Sequence, residues 1–467
     1  TGFGGWSMTN EIALNCLLNM GTVPAASEPR LLYLLIDVKP GEGAVPLQAP
    51  VNIAVVIDVS ESMRLPVLSQ AQFEELSRLG HVNQTTSDGV PVWTFRSIPE
   101  HIRKEAPSNL EAVQASISQA AQHLEAGDRV SLVAFADQSQ VLLSGLGGSE
   151  RGQVLDAVQS LAQVKLGDQT DIAKGLEAGL TEVHRGMGNH ANFVNRVLVL
   201  TDGFTQDPTR ATARAKQGRH VGIAVSTIGI GSEFNERLLL DMADISLGNA
   251  YFARTPAEIP PAFGQELAAV QSVILRDIEL EMKFSTGVEV RRAYRVRPAI
   301  ATLRDARREG RTLGVTMGDL DPANPPALLL ECILPTHAGG TFRIARVTAT
   351  CKNEHGRRSV GGTCDVVVNY STSKRKDEPD PIVMNIVERV TAYALQTRAL
   401  DDLAAGNVAA ATQKLRAAVT RLLTVGETAL ADAVQAEAAR LAHSGEVSPE
   451  SQKELRYATR RLTQRLE

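Results

Sequence analysis

Between residues 51 and 271, short apolar runs alternate with stretches in which apolar residues recur at helical spacing. The runs are rich in Val, Ile or Phe and occupy residues 51–57, 130–136, 197–200, 223–230 and 250–253. One intervening stretch places Leu110, Val113 and Ile117 behind Ser108, a residue type that caps helices. Continuous apolar strands joined by helices are typical of a parallel sheet covered on both faces. The pattern therefore predicts a doubly wound, mostly parallel α/β domain over residues 51–271, with ligands at the carboxyl ends of its strands.

The segments on either side of this region have a different periodicity. Residues 278–284 alternate strictly between apolar and polar side chains, as a half-buried antiparallel strand does. Similar stretches, separated by turn residues, occur at 328–334, 342–351 and 366–370. Residues 31–38, which precede the α/β region, also have the composition of a strand. We therefore predict a discontinuous β-sandwich formed by residues 9–50 and 272–372, with the α/β domain inserted between its strands.

The last part of the chain has a helical pattern. Residues 371–381 are polar and contain proline, which is typical of a linker. Beyond them, Val383, Ile386 and Val390 mark one helix face, and Ser448-Pro449 is a typical cap and first turn of a last helix. Residues 380–467 are therefore predicted to form a C-terminal helical bundle.

Length and composition narrow the class of protein. The chain has 467 residues, of which 43% are apolar and 22% charged, which is typical of a globular protein with two or three domains. The net charge of -5 disfavours nucleic acid as a partner. No apolar stretch approaches the roughly 20 residues needed to span a bilayer. The four cysteines lack metal-type spacing, which favours the cytoplasm, although a leader removed earlier would leave no trace in this sequence.

Five side-chain oxygen donors stand where the predicted strands end. Asp58, Ser60 and Ser62 follow directly on the first run, Thr170 lies in a polar loop, and Asp202 follows the run 197–200. This donor set suits magnesium, which prefers octahedral oxygen coordination and keeps several waters. Zinc would require histidine or thiolate ligands. Two carboxylates at best neutralise such an ion, so it stays receptive to a further acidic ligand from a partner.

These motifs resemble the von Willebrand factor type A (VWA) domain and its metal-ion-dependent adhesion site (MIDAS). The family pattern is Asp-x-Ser-x-Ser, a lone Thr, and an Asp after a later strand, and all five positions match over roughly residues 51–270. Glu61 stands where relatives often carry Gly, but that position is not a ligand in the family. The resemblance implies a Rossmann-like fold and a site for Mg²⁺, with Mn²⁺ or Ca²⁺ as substitutes, held by the five donors. An ion that only pins the three loops together remains an alternative.

A long insertion, residues 64–107, separates the first motif from its helix. Loops of this length without a function are uncommon, so one hypothesis makes it a lid beside the metal, with Trp93 and Phe95 offering apolar contact. The other hypothesis makes these aromatic residues a passive cover of the domain.

Three functions follow from these features. We expect a non-enzymatic, magnesium-dependent interaction module that binds an Asp or Glu of a protein partner. The resemblance also implies a second role, as the adaptor or substrate-recognition subunit of a separate MoxR-type AAA+ ATPase or of a chelatase-like complex. A metal-assisted hydrolase would need a general base, and only Asp168 and Asp171 lie nearby in sequence. With no histidine in the motif loops and no hydrolase motif, we expect no catalytic residues.

Overall fold

The computed structural model describes residues 11–25, 28–42, 44, 49–87, 90–188, 193–303, 306–352, 358–373, 378–445 and 448–464. The chain divides into two compact units. Residues 50–188 and 195–268 form the α/β unit, and the remaining described residues form the second unit.

The strands and helices are numbered in chain order. The strands are β1 (Ile12–Leu18), β2 (Thr22–Pro24), β3 (Arg30–Pro40), β4 (Val51–Asp58), β5 (Val82–Ser87), β6 (Val90–Phe95), β7 (Arg129–Phe135), β8 (Ser139–Gly147), β9 (Val194–Thr201), β10 (Ala224–Ile230), β11 (Ala250–Ala253), β12 (Leu275–Phe284), β13 (Glu289–Arg297), β14 (Ala301–Thr302), β15 (Arg307–Glu309), β16 (Thr312–Leu320), β17 (Ala327–Leu334), β18 (Gly340–Lys352) and β19 (Arg358–Ser371). The α-helices are α1 (Glu61–Arg64), α2 (Gln70–Arg78), α3 (Glu100–Glu105), α4 (Asn109–Ala120), α5 (Arg151–Ser160), α6 (Ile172–Met187), α7 (Pro208–His220), α8 (Glu236–Ser246), α9 (Ile259–Gln271), α10 (Pro381–Ala404), α11 (Val408–Thr424), α12 (Thr428–Ser444) and α13 (Pro449–Arg460).

The α/β unit contains a six-stranded sheet in the order β11-β10-β9-β4-β7-β8. Strand β4 pairs in parallel with β7, and β10 pairs in parallel with β9 and β11, whereas β8 is an antiparallel edge strand. Every residue of β4 is buried, because the sheet is covered on both faces. The mostly parallel sheet predicted from the apolar runs is confirmed. Since β4 and β9 are neighbours, their carboxyl ends lie side by side.

Helix α6 packs closely on the centre of this sheet through glycine. A Cβ atom at Gly175 would lie 2.6 Å from the ring of Phe135, and one at Gly179 would lie 2.5 Å from the side chain of Val56. Both positions are in the helix interior, where glycine costs conformational entropy that the close approach must offset. This packing fixes the start of α6 next to the carboxyl ends of β4 and β9.

The insertion forms a small structure of its own. It contains α2, the β5–β6 hairpin and α3, which pack around a cluster centred on Leu76, Ile102 and Ala106. The ring of Phe95 lies edge-on to that of Phe73, with 6.4 Å between centroids. Phe95 therefore packs within the insertion itself, and the side chain of Trp93 lies outside the described residues. The lid and passive-cover hypotheses both stay predictions.

The second unit contains two sheets, ordered β1-β3-β17-β13-β14 and β15-β16-β12-β18-β19-β2. Their facing side chains, among them Leu34 and Leu330 from one sheet and Met282 and Val347 from the other, form one core. Leu34 and Leu330 are also paired across β3 and β17. A strand before the α/β unit therefore pairs with a strand after it, which confirms the discontinuous sandwich. The domain boundaries given above stay predictions.

Helix α10 packs against the outer face of the five-stranded sheet, and α11, α12 and α13 share its apolar core. Leu35, Tyr294 and Leu329 on that face share a core with side chains of these helices, including Ile386 and Leu415. Because both faces of β3 are covered, its apolar run is continuous rather than alternating. The predicted C-terminal helical region is confirmed. Among the helices that the structure describes, none has the length and apolarity that a bilayer span requires.

The packing of α6 leads to a stability prediction. Gly179→Ala forces a methyl group against Val56 and should lower the free energy of unfolding by about 1–3 kcal/mol, the usual cost of overpacking a core. Urea denaturation measures this change. The control is Gly264→Ala, a helical position where the new methyl group would meet no atom within 4 Å apart from the adjoining backbone of its own helix, and which should stabilise the chain by about 0.5–1 kcal/mol. Equal effects of the two substitutions would contradict the packing described.

Candidate metal site

The five donors predicted from sequence lie together in the structure. Ser62 donates a hydrogen bond from Oγ to Asp202 Oδ1 at 2.7 Å, and the Oγ atoms of Ser60 and Ser62 are 3.2 Å apart. Thr170 donates from Oγ1 to Asp58 Oδ2 at 3.4 Å. Asp58 ends β4 and Asp202 follows the end of β9, so adjacent strand ends bring the two carboxylates close together.

Two further residues hold the carboxylates and were missed by the sequence interpretation. Thr201 donates from Oγ1 to Asp58 Oδ2 at 2.6 Å, and Asn109 donates from Nδ2 to Asp202 Oδ2 at 3.0 Å. Thr201 stands directly before Asp202 at the end of the same strand, so its position in the sequence is a signal that it lies near the carboxylates. Asn109 is the first residue of α4, 93 positions from Asp202, and no spacing rule connects the two.

Burial dominates the electrostatics of the site. Desolvation raises the pKa of Asp58 to about 6, and it also raises the pKa of Asp202. Hydrogen bonds from Ser60 and Thr201 oppose the shift at Asp58, while the neighbouring charge of Asp202 adds to it. Within the described residues, no Lys or Arg forms an ion pair with either carboxylate. Buried carboxylates that are held by hydroxyl and amide groups alone would be stabilised by a cation, so the donor set fits a hard divalent ion.

The five donor residues differ in their exposure to solvent. Asp58, Ser60, Thr170 and Asp202 are all buried, whereas Ser62 is exposed. Among the five donor residues, Ser62 is therefore the one whose side chain is most accessible to a ligand from solvent.

The backbone of Gly203 lies close to two of the donor side chains. A Cβ atom at this position would lie 2.6 Å from Thr170 Oγ1 and 3.6 Å from Asp58 Oδ2. Any larger residue would therefore displace Thr170, which explains why glycine follows Asp202 in this chain.

Arg64 ties the first loop to the loop that carries Thr170. Its guanidinium donates to the backbone carbonyls of Val59 at 3.1 Å and Ala162 at 2.7 Å, and it also bonds the carbonyl of Val164. One side chain thus satisfies acceptors from two ligand-bearing segments. Arg64 is in α1, directly after the Asp-x-Ser-x-Ser motif, and its role was not evident from sequence.

The acidic residues considered for hydrolysis have other partners or lie apart. Asp171 caps α6 by accepting from the Lys174 backbone at 3.1 Å, and Arg210 lies 3.4 Å from its other oxygen. Asp168 is exposed. In the described part of the chain, no cluster of three or more His, Cys, Asp or Glu side chains could hold a metal ion.

Comparison with known proteins supports the fold. Residues 104–265 match the family model of the von Willebrand factor type A domain, and residues 381–465 match that of the Sll0103-like, C-terminal alpha-helical domain. The chain therefore contains a VWA domain followed by a helical domain of the Sll0103-like type. The VWA match begins beyond most of the insertion, so it does not include Asp58, Ser60 or Ser62.

Two curated relatives share part of the chain. The uncharacterized protein YfbK of Escherichia coli is 25% identical over 181 residues, which cover 38% of this chain and 31% of the relative. The uncharacterized protein sll0103 of Synechocystis is 24% identical over 243 residues, which cover 51% of this chain and 56% of the relative. The match thus spans about a third of one relative and about half of the other.

A solved structure resembles the whole chain. This structure, von Willebrand factor type A from Catenulispora acidiphila, is 16% identical to the chain, with a TM-score of 0.71 over 98% of both chains. The TM-score shows that the two chains share a fold, and an identity this low shows nothing beyond the fold.

The contacts of Arg64 lead to a second prediction. Arg64→Ala leaves at least three backbone carbonyls without their donor, so local opening of residues 59–64 and 161–166 should become easier by about 1–3 kcal/mol. Hydrogen exchange followed by mass spectrometry measures this as faster exchange in both segments. Arg103→Ala, which removes an exposed pair with Glu111, is the control and should leave both segments unchanged. Unchanged exchange in Arg64→Ala would mean that the two loops are held together by other contacts.

Proposed function

We propose that this chain is a non-enzymatic protein-interaction module that binds an acidic residue of a partner through a divalent ion. The observation that carries the proposal is the pair of buried carboxylates, Asp58 and Asp202, which face hydroxyl groups at adjacent strand ends and have no cationic partner among the described residues. The VWA fold supports it, because such domains expose ligand sites at this edge of the sheet.

Mg²⁺ is the ion that the donor set favours, with Mn²⁺ or Ca²⁺ as substitutes. Asp58, Ser60, Ser62, Thr170 and Asp202 would hold it directly or through water. Bound there, a divalent ion would supply a positive charge that the two carboxylates balance but do not exceed. Because the hydroxyl ligands add no negative charge, the ion could still accept another oxygen ligand. Because Ser62 is exposed, an ion that it helps to hold would be within reach of a partner carboxylate.

An acid of the partner is a selective ligand for such a centre. A carboxylate contributes charge and oxygen together, whereas an uncharged side chain would leave a partly desolvated cation unpaired.

The absence of a catalytic role is part of the proposal. Asp171 is engaged by Lys174 and Arg210, so it is held in a structural role rather than poised as a general base. The adaptor role beside a separate ATPase remains a prediction from the resemblance.

The proposal is tested by removing one carboxylate charge. Asp58→Asn keeps the size of the side chain but removes the charge and one oxygen, so binding of Mg²⁺ or Mn²⁺ should be lost in titration calorimetry. Saturating Mg²⁺ should also raise the unfolding free energy of the unaltered chain, by about 2.7 kcal/mol at a hundredfold excess over Kd, and it should leave the variant unchanged.

The matched control is Asp168→Asn, which changes an exposed carboxylate in the same loop system as Thr170. It should bind the ion as the unaltered chain does, and excess EDTA should reverse the stabilisation in both. Ion binding that survives in Asp58→Asn, or an unaltered chain that binds no ion, would refute the proposed site.

A further inference from the structure

Exposed apolar residues follow two of the donor residues closely in the chain. Leu65 is 50% exposed and Val67 is 40% exposed, and both follow Ser62 closely in the chain. Phe204 is 62% exposed and stands two residues after Asp202. In the part of the chain that the structure describes, Phe204 is the one aromatic residue among the exposed large apolar side chains. Apolar surface gathered beside a polar site is typical of an interaction surface.

Leu65 and Val67 are held in place by the base of the insertion. The backbone N–H of Leu65 donates to the carbonyl of Ser62 at 3.3 Å, and that of Val67 donates to the carbonyl of Pro107 at 3.3 Å. Between them, Pro66 forms an antiparallel bridge with Ser108. Ser108 precedes Asn109, whose amide holds Asp202, so the base of the insertion is joined to the site at both ends.

Phe204 is presented from a backbone that is fixed on both sides. The N–H of Gly203 donates to Thr201 Oγ1 at 3.1 Å. Thr205 is buried, forms a parallel bridge with Thr170, and accepts from the backbone of Ile172 at 3.2 Å. Both neighbours of Phe204 in the chain are thus anchored, and its side chain is exposed. Because the backbone is already held and a phenyl side chain has only two rotatable bonds, binding through Phe204 would cost little conformational freedom.

The segment with Leu65 and Val67 and the segment with Phe204 are joined through Ser62 and Asp202. Ser62 and Asp202 are linked by their 2.7 Å hydrogen bond, and Leu65 and Phe204 follow them by three and two residues. We propose that Leu65, Val67 and Phe204 form an apolar rim around the site, and that this rim selects protein partners whose Asp or Glu has an apolar side chain beside it. The inference rests on the proposed function, which places the acid on the ion. A free phosphate or other small anion would gain nothing from such a rim.

The test uses displayed peptides as the probe. A library with a fixed central Glu and random neighbours is selected on the full chain in Mg²⁺, and Leu, Ile or Phe should be enriched beside the Glu. For a selected peptide, Phe204→Ser should weaken binding by about tenfold, as expected for loss of an anchor residue. Val221→Ser, which alters a 42% exposed residue just past the other end of α7, is the matched control and should bind normally.

Metal titration separates this inference from the proposed function. Both variants should bind Mg²⁺ with the affinity of the unaltered chain, since neither residue offers an oxygen ligand from its side chain. If the unaltered chain binds Mg²⁺ and selects Glu peptides without an apolar preference, or if Phe204→Ser binds them normally, the rim is refuted and the proposed function stands. If no Mg²⁺ binds, the proposed function fails, and the inference fails with it.

Discussion

The burial of two carboxylates at neighbouring strand ends is the constraint on which the candidate site depends. Asp58 and Asp202 are both removed from water, and an unpaired buried charge is expensive. Thr201, Ser60, Ser62 and Asn109 donate hydrogen bonds that reduce this cost, yet burial still raises the pKa of Asp58. A divalent ion would supply the missing positive charge.

Such a site also needs a rigid frame, since donors from three distant segments must stay within a few ångströms. The adjacent positions of β4 and β9 bring the carboxylates together. The glycine-mediated approach of α6 to the sheet sets the position of Thr170, and Arg64 joins the loop before Thr170 to α1. The frame is thus built from core packing and from hydrogen bonds between the Arg64 side chain and backbone carbonyls.

The sequence could predict the features that rest on local periodicity or on strand ends. The run 51–57 is continuous because β4 is buried on both faces, and residues 278–284 alternate because β12 has one face in the sandwich core. Donors that follow strands are also predictable, since the carboxyl ends of parallel strands share one edge. For these reasons the doubly wound sheet and the grouping of Asp58 with Asp202 were accessible from sequence.

Residues that act through the tertiary fold were not accessible in this way. Asn109 reaches Asp202 only because α4 begins beside the end of β9, and Arg64 binds carbonyls about a hundred residues away in sequence. The packing of Phe95 within the insertion likewise depends on the position of α2 rather than on any pattern around Phe95.

Electron paramagnetic resonance of Mn²⁺ added to the full chain, followed by Mg²⁺ competition, tests the central claim most directly. One Mn²⁺ per chain should become bound, keep exchangeable water on the open side of the ion, and be released by Mg²⁺. Mn²⁺ that stays free in solution, or that binds without any exchangeable water, would contradict a divalent site with an accessible coordination position.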